Sequence, residues 1–277
     1  MKETGHKEVF IFVAGSTPQI ITETIYALSQ KTPPVYTDEI YIVTTSKGEK
    51  LIKDTLTGRE ILKGLAKEYN LPELELNDNS FIVAKDSAGN AIDDIRTAAD
   101  NEAMGDAITA LIKEKTKDHA SRLHCSLAGG RKTMSFYMGA ALQLFGRPWD
   151  NLYHVLVSPE FESNPHFFYK PLKDTVIECR MPDGAKKQLS TKNAEVYLAE
   201  LPFVRLSGKL SLHKKSFREL VEEGQQEIDI ATVQPELLVN LSERIVYIGG
   251  NVVEMIPVHL MIYTAFLRMK TEHCRYP

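Results

Sequence analysis

The sequence predicts an α/β protein with a Rossmann-like, doubly wound and mostly parallel sheet, followed by a smaller α+β unit. Three observations lead to this prediction. Strand-like and helix-like segments alternate over roughly the first 160 residues. The strand-like segments are continuous β-branched and aromatic runs, as expected of strands that are buried on both faces. After about residue 160 the alternation ends, and short extended segments broken by proline and glycine follow.

Five strands are predicted for the first unit, at residues 8–15, 39–45, 80–85, 122–128 and 151–158. Apolar residues at helical spacing indicate helices between them, at 19–30, 48–69, around 104–112 and after the Gly129-Gly130 pair. Pro18 suits the first turn of the first helix, and Ser16 or Thr17 suits its cap. Strands that alternate with helices in this way form parallel sheets with right-handed crossovers.

We expect two domains, at residues 1–170 and 171–277. In the second, residues 214–226 predict a helix, residues 236–255 predict a hairpin with a turn near Gly249-Gly250-Asn251, and Pro257 begins a last helix. This order resembles the opening of a winged helix, but the chain stops at Pro277, before a recognition helix. Duplex DNA binding by this unit is therefore poorly supported, and a role in dimerisation or as a lid is an equal alternative.

The composition is that of an ordinary globular protein, with 43% hydrophobic and 25% charged residues. The net charge of −4 argues against a basic surface for long duplex nucleic acid, but not against a small anion held by local cations. No apolar run approaches the length of a membrane span, and the N-terminus is too polar for a signal peptide. The three cysteines form no Cys-x-x-Cys pair. We therefore expect a cytoplasmic protein without metal, cofactor or membrane contact, in which Cys125 is a buried thiol.

In an open parallel sheet, ligands bind beyond the carboxyl ends of the strands, where the strand order reverses. The loops expected there are rich in hydroxyls, glycines and cations, and carboxylates are few. We predict ligand contacts from Gly15, Ser16, Thr17, Pro18 and Gln19 after the first strand, Thr44 and Ser46 after the second, and Ser126, Gly129, Gly130, Arg131, Lys132 and Thr133 at the fourth.

This chemistry favours a phosphate group. Glycine lets backbone N–H groups approach an oxygen closely, helix N-termini carry partial positive charge, and arginine can bind two oxygens at once. The loop is not a Walker A motif, since Ser126 stands where the first glycine would be and Arg131 separates Gly130 from Lys132. No Gly-x-Gly-x-x-Gly follows the first strand, so ATP hydrolysis and NAD binding are both poorly supported. Taken alone, the glycine pair also fits a tight connection, and Ser16 also fits a helix cap.

Two stretches resemble a known family. "VAGSTPQIITETIYAL" (13–28) together with "CSLAGGRKTMSFYMGAAL" (125–142) resembles the CARF (CRISPR-associated Rossmann fold) domains of type III CRISPR systems, and within them the ring-nuclease group. The resemblance covers roughly the first 170 residues. It implies a homodimer that binds cyclic tetra-adenylate across its two-fold axis. It also implies metal-independent cleavage of that ring to linear adenylates with 2′,3′-cyclic phosphate ends, which switches off the antiviral signal.

Carried over by the family's motifs, Ser16 and Lys132 match the catalytic hydroxyl and lysine. In the mechanism that the resemblance implies, a ribose 2′-OH attacks the adjacent phosphorus and the 5′-oxygen leaves. The protein aligns these atoms and stabilises the charge that grows on the phosphorane. Lys132 with Arg131 supplies positive charge, N–H groups of Gly129 and Gly130 hold nonbridging oxygens, and Ser16 hydrogen-bonds the phosphate or ribose. No residue is an obvious general base, which predicts a slow enzyme.

Two other functions remain open. A non-cleaving sensor would bind the same ligand and change the activity of the C-terminal unit. A CARF-controlled ribonuclease would use Arg268 and His273, which fit the Arg-x₄-His signature of HEPN ribonucleases, although a spacing this loose also arises by chance. The apolar helix after Lys132 is open to two interpretations as well, as a buried helix covered by the second unit or as a dimer interface.

Overall fold

The structure, a computed structural model, describes residues 5–181, 183–232, 237–248 and 251–273. Its strands are β1 (Lys7–Val13), β2 (Glu39–Thr44), β3 (Phe81–Val83), β4 (Ser121–Ser126), β5 (Asn151–Val157), β6 (Val176–Arg180), β7 (Lys186–Ser190), β8 (Val196–Glu200), β9 (Leu237–Asn240), β10 (Ile245–Ile248) and β11 (Asn251–Glu254). Its α-helices are α1 (Gln19–Ser29), α2 (Ser46–Ile52), α3 (Ile61–Tyr69), α4 (Ala98–Lys115), α5 (Lys132–Phe145), α6 (Phe217–Thr232) and α7 (Pro257–His273).

The main sheet has six strands in the order β3-β2-β1-β4-β5-β8. The first five run parallel, and β8 pairs antiparallel with β5 at the edge. Because β1 lies between β2 and β4, the strand order reverses at the β1–β4 pair. The predicted Rossmann-like, mostly parallel α/β sheet is confirmed, and its carboxyl edge has the crevice in which such sheets bind ligands.

Both faces of this sheet are covered, which explains the continuous apolar run of β1. Val9, Ile11 and Val13 pack on one face with residues of α4 and α5. Phe10 and Phe12 pack on the other face with residues of α1 and α3. All five side chains are at most 1% exposed. The strand that carries the first candidate loop is therefore fixed from both sides.

The single helix predicted at 48–69 is wrong. The chain instead forms α2, a π-helical turn at Lys53–Thr57 and then α3. Between the last two, Glu60 adopts a left-handed backbone with φ of +54°, which no α-helix continues through. The apolar spacing hides this break because Leu56 and Leu62, on either side of it, face the same core.

The chain divides into two compact units, Met1–Val221 and Glu222–Pro277. This division falls later than the expected boundary at 170, because β8 completes the main sheet and therefore belongs with the first unit. In the second unit, β9, β10 and β11 form an antiparallel sheet. The expected hairpin is thus present, while Gly249 and Gly250 of its turn lie outside the described residues. No described helix is both long and apolar enough to cross a membrane.

Helix α5 is buried on one side only. Met134, Met138 and Leu142 lie in the core, whereas Phe136 is 64% exposed. Phe217, at the start of α6, stands edge-on to the Phe136 ring with 6.2 Å between ring centroids. Of the two interpretations of this helix, deep burial therefore does not hold for the side that carries Phe136.

Helix α1, which follows the first candidate loop, buries polar side chains. Gln19 Nε2 donates a 3.2 Å hydrogen bond to the carbonyl of Asn164, while Gln19 Oε1 has no hydrogen-bond partner among the described residues. One turn later, Glu23 is 4% exposed. Burial, helped by the negative charge of Glu162, raises the pKa of Glu23 to about 8.

We predict that Glu23→Gln removes a pH dependence of stability. The folded protein keeps a proton on Glu23 up to about pH 8, whereas a glutamate in the unfolded chain releases it near 4.5. The folded state therefore binds more protons between these values, and the free energy of unfolding falls as pH rises through them. Glutamine stays neutral, so at pH 8.5 the free energy of unfolding of the variant should exceed that of the wild type by about 4–5 kcal/mol.

Urea denaturation at pH 4.5 and pH 8.5 measures this difference, which should vanish at the lower pH. Glu73→Gln, on an exposed glutamate, is the matched control. Equal free energies for wild type and Glu23→Gln at both pH values would contradict the buried, protonated state.

Candidate functional site

A cavity of about 810 Å³ opens at the carboxyl edge of the main sheet. It is lined by the ends of β1, β2 and β4 and by a segment after β3, with the residues Ala14, Gly15, Ser16, Thr45, Lys47, Gly48, Leu51, Asp93, Asp94, Ile95, Gly130, Arg131, Lys132, Thr133 and Met134. Ser16 and Lys132, predicted from two stretches of sequence more than a hundred residues apart, thus line the same cavity.

The loops after β1 and β4 meet through glycines. A Cβ atom on Gly129 would lie 2.7 Å from the carbonyl oxygen of Val13, closer than such atoms can pack. A Cβ atom on Gly15 would lie 3.5 Å from Cα of Gly130. Gly130 itself has φ of +74°, a left-handed conformation that favours glycine. The glycine pair is therefore a tight connection between neighbouring loops, and Gly130 lines the cavity while Gly129 is buried beneath it.

Lys132 is the first residue of α5 and is exposed to the cavity. Its ammonium group makes no hydrogen bond or ion pair with any residue that the structure describes. No side-chain oxygen caps the start of α5. The first N–H groups of this 14-residue helix, together with the lysine charge, thus offer a cationic and hydrogen-bonding surface to an anion.

Arg131 is held by a carboxylate. Its Nη2 donates to Oδ1 of Asp94 at 2.9 Å, and this contact holds the pKa of Asp94 below its usual range. The neighbouring Asp93 accepts a 2.5 Å hydrogen bond from Ser46 Oγ and lies 3.9 Å from Lys47 Nζ. Two carboxylates that the sequence did not predict at this rim thus pair with cavity cations.

The sequence did not indicate these aspartates as cavity residues because they follow β3 by about ten residues. The intervening segment turns back, with a bridge between Lys85 and Ala91 and a hydrogen bond from Ser46 N–H to the carbonyl of Ile92. The "DSAGN" turn at 86–90 is the signal that could have indicated this return.

Four residues predicted to contact a ligand are buried away from the cavity. Ser126 Oγ lies 3.2 Å from Thr24 Oγ1, and Gln19 is turned toward Asn164 as described above. Thr44 is fully buried, and its Oγ1 has no hydrogen-bond partner among the described residues. Gly129 is the fourth. These residues lie beneath the loops and do not line the cavity, contrary to the prediction that they contact a ligand there.

Thr17, Pro18 and Ser46 do not line the cavity either. Pro18 occupies the cap position of α1, and no side chain caps that helix. The alternative interpretation of Ser16 as a helix cap is therefore wrong. Ser46 instead supports the cavity indirectly, because it donates a hydrogen bond to Asp93, which lines the cavity.

No three His, Cys, Asp or Glu side chains of the described residues are grouped so that they could hold a metal ion. The arrangement of the cavity instead suits an oxyanion, with a lysine, an arginine and a helix N-terminus at one wall. Leu51, Ile95 and Met134 add apolar surface to the same cavity. Metal-independent chemistry stays a prediction.

We predict that Gly129→Ala lowers the free energy of unfolding by about 2–3 kcal/mol, because the added methyl group would collide with the Val13 carbonyl and force the two loops apart. Urea denaturation measures the loss. Gly139→Ala is the matched control, since its Cβ atom would meet nothing closer than 4.0 Å and alanine favours a helix. Unchanged stability of Gly129→Ala would refute the close approach.

A comparison with protein-family models matches residues 17–233 to the family described as CRISPR-associated protein NE0113. A comparison with curated proteins finds no match. The matched region contains α5, all of the main sheet except β1, and both cavity aspartates. Because the match spans well over half of the 277 residues, this chain belongs to the CRISPR-associated NE0113 family.

Proposed function

We propose that this protein is a ring nuclease, which binds cyclic tetra-adenylate in the 810 Å³ cavity and cleaves it without metal. The observation that supports this most is the presence of Ser16 and Lys132 in one cavity at the strand-order reversal. Membership of a CRISPR-associated family agrees with a role in ending type III CRISPR signalling. Binding by a homodimer, with the ring on the two-fold axis, is part of the proposal.

The chemistry needs no nucleophile from the protein. The ribose 2′-oxygen forms a bond to phosphorus, the bond from phosphorus to the 5′-oxygen breaks, and the proton lost by the 2′-hydroxyl is balanced by one gained at the 5′-oxygen. Charge accumulates on the nonbridging oxygens as this happens. A group that stabilises this charge more strongly in the transition state than in the bound substrate accelerates the reaction.

Lys132 is the residue best placed for that role, since it has no protein counter-ion among the described residues. The N–H groups at the start of α5 and that of Gly130 would hold nonbridging oxygens, while the buried Gly129 serves the loop rather than the ligand. Ser16 would hydrogen-bond the phosphate or ribose and keep the attacking and leaving oxygens in line. Arg131 would contact the ligand, and its hydrogen bond to Asp94 would hold the guanidinium group in position.

The proposal is tested with labelled cyclic tetra-adenylate and the full-length protein in EDTA. We expect conversion to linear adenylates with cyclic phosphate ends. Lys132→Ala should reduce the rate at least 100-fold, in the range lost when one transition-state contact is removed. Ser16→Ala should slow cleavage more than it weakens binding. Lys67→Ala, on the exposed side of α3, is the matched control and should be unaffected.

The same assay separates the alternatives. Tight binding without turnover would make the protein a sensor. Degradation of a separate RNA only with the ring present, and lost in His273→Ala, would indicate the ribonuclease; the side chain of His273 lies outside the described residues. Absence of any binding would refute all three functions.

We predict that Arg131→Ala weakens ring binding and flattens its salt dependence. A lost phosphate contact lowers the slope of log affinity against log salt by about 0.7 to 0.9. Fluorescence titration between 50 and 300 mM salt measures the slope. Arg96→Ala is the matched control, because Arg96 contacts the same Asp94 at 3.4 Å but does not line the cavity. An unchanged slope in Arg131→Ala would place its charge away from the ligand.

A further inference from the structure

Helix α7 carries an exposed apolar stripe. Val258, Met261, Ile262, Phe266 and Met269 are each between 60% and 73% exposed. At 100° per residue these positions fall within one side of the helix, so they form a continuous surface rather than scattered contacts. A continuous apolar patch of several hundred Å² often marks an interaction surface.

The other side of α7 is also apolar. Leu260 is 4% exposed. A helix that is apolar on both sides is normally buried on both sides. Among the described residues after Val221, Val246 and Leu260 are the hydrophobic side chains that are fully buried. This small core leaves most of the apolar surface of the unit uncovered.

The charge pattern of the stripe suits a second copy of the chain. Residues 257–267 contain no Asp, Glu, Lys or Arg. A two-fold interface places the same surface on both sides, so any charge at its centre would face its own equivalent. An uncharged stripe avoids this repulsion. Beside it lies a groove of about 540 Å³, lined by Tyr263 and Phe266 among others, which could accept side chains of the opposite helix.

The area is also sufficient. With roughly 100 Å² offered by each of the five stripe residues, two copies would bury about 1,000 Å² through these side chains alone, the area that a biological interface has to reach. Flanking residues such as Ala265, which is exposed between them, add to this area.

We infer that α7 forms a two-fold interface with α7 of a second copy of this chain. The proposed function calls for two copies but not for this surface, so the inference goes beyond it. The C-terminal unit then acts as the dimerisation element and gains from the second copy the core that it lacks alone.

The test is the mass of the full-length protein by light scattering and sedimentation. Wild type should be a dimer at 10 μM. Met261→Glu and Phe266→Glu should each shift it to a monomer, with circular dichroism and thermal melting confirming that the main sheet stays folded. Leu172→Glu, on an apolar side chain 68% exposed in the first unit, is the matched control and should stay dimeric.

A second measurement does not depend on a disruptive charge. With Cys274→Ser as background, Ala265→Cys should form a disulfide-linked dimer on mild oxidation, since Cys125 and Cys179 are buried. Leu172→Cys on the same background should not.

A monomeric wild type, a dimer that persists in both glutamate variants, or a dimer broken by Phe136→Glu but not by Phe266→Glu would overturn the inference. A dimer of the expected kind that does not cleave the ring would leave the interface standing and refute the proposed enzyme. A monomer that cleaves the ring would refute the interface and the homodimeric binding in the proposed function, and would leave only the cleavage activity standing.

Discussion

The candidate site depends on the close approach of two loops at the centre of the main sheet. β1 and β4 are paired in register up to Phe12 and Ser126, and the chain beyond each strand has to turn within a few residues. Gly129 fits against the Val13 carbonyl because it has no side chain. This contact brings the loop of Ser16 next to the start of α5. The cavity and its side chains therefore depend on this close packing of the backbone at the two loops.

The charges of the cavity are unevenly compensated. Its three cations are Lys47, Arg131 and Lys132, and Asp93 and Asp94 lie beside the first two. An incoming anion meets full positive charge at Lys132 and at the helix start behind it, whereas Arg131 is already oriented by its carboxylate. Such a site concentrates its electrostatic effect at one point.

The two units of the chain solve the burial of apolar surface differently. The first has a sheet covered on both faces, and its strands can therefore be apolar throughout. The second has three short strands, most of α6 and α7, and this is too little material to cover a helix that is apolar on both sides. The family match ends at residue 233, before β9, so these strands and α7 lie outside the part of the chain that the family model matches. An interface with another chain is the physical solution that such a unit permits.

Sequence patterns by themselves determined the fold class, the order of the first five strands along the chain, and the two loops at which Ser16 and Lys132 lie. These features could be predicted because burial on both sheet faces requires continuous apolar runs, and a tight turn requires glycine, so both are visible in the local sequence. Only the tertiary structure decided which side chains reach the cavity. Thr44 and Ser126 precede the turns and point into the core, while Asp93 and Asp94 arrive from a segment that folds back after β3. The interruption at Glu60 was likewise hidden, since both helices bury the same apolar face. Contacts between distant segments depend on how the chain packs, so the local spacing of residues in the sequence does not predict them.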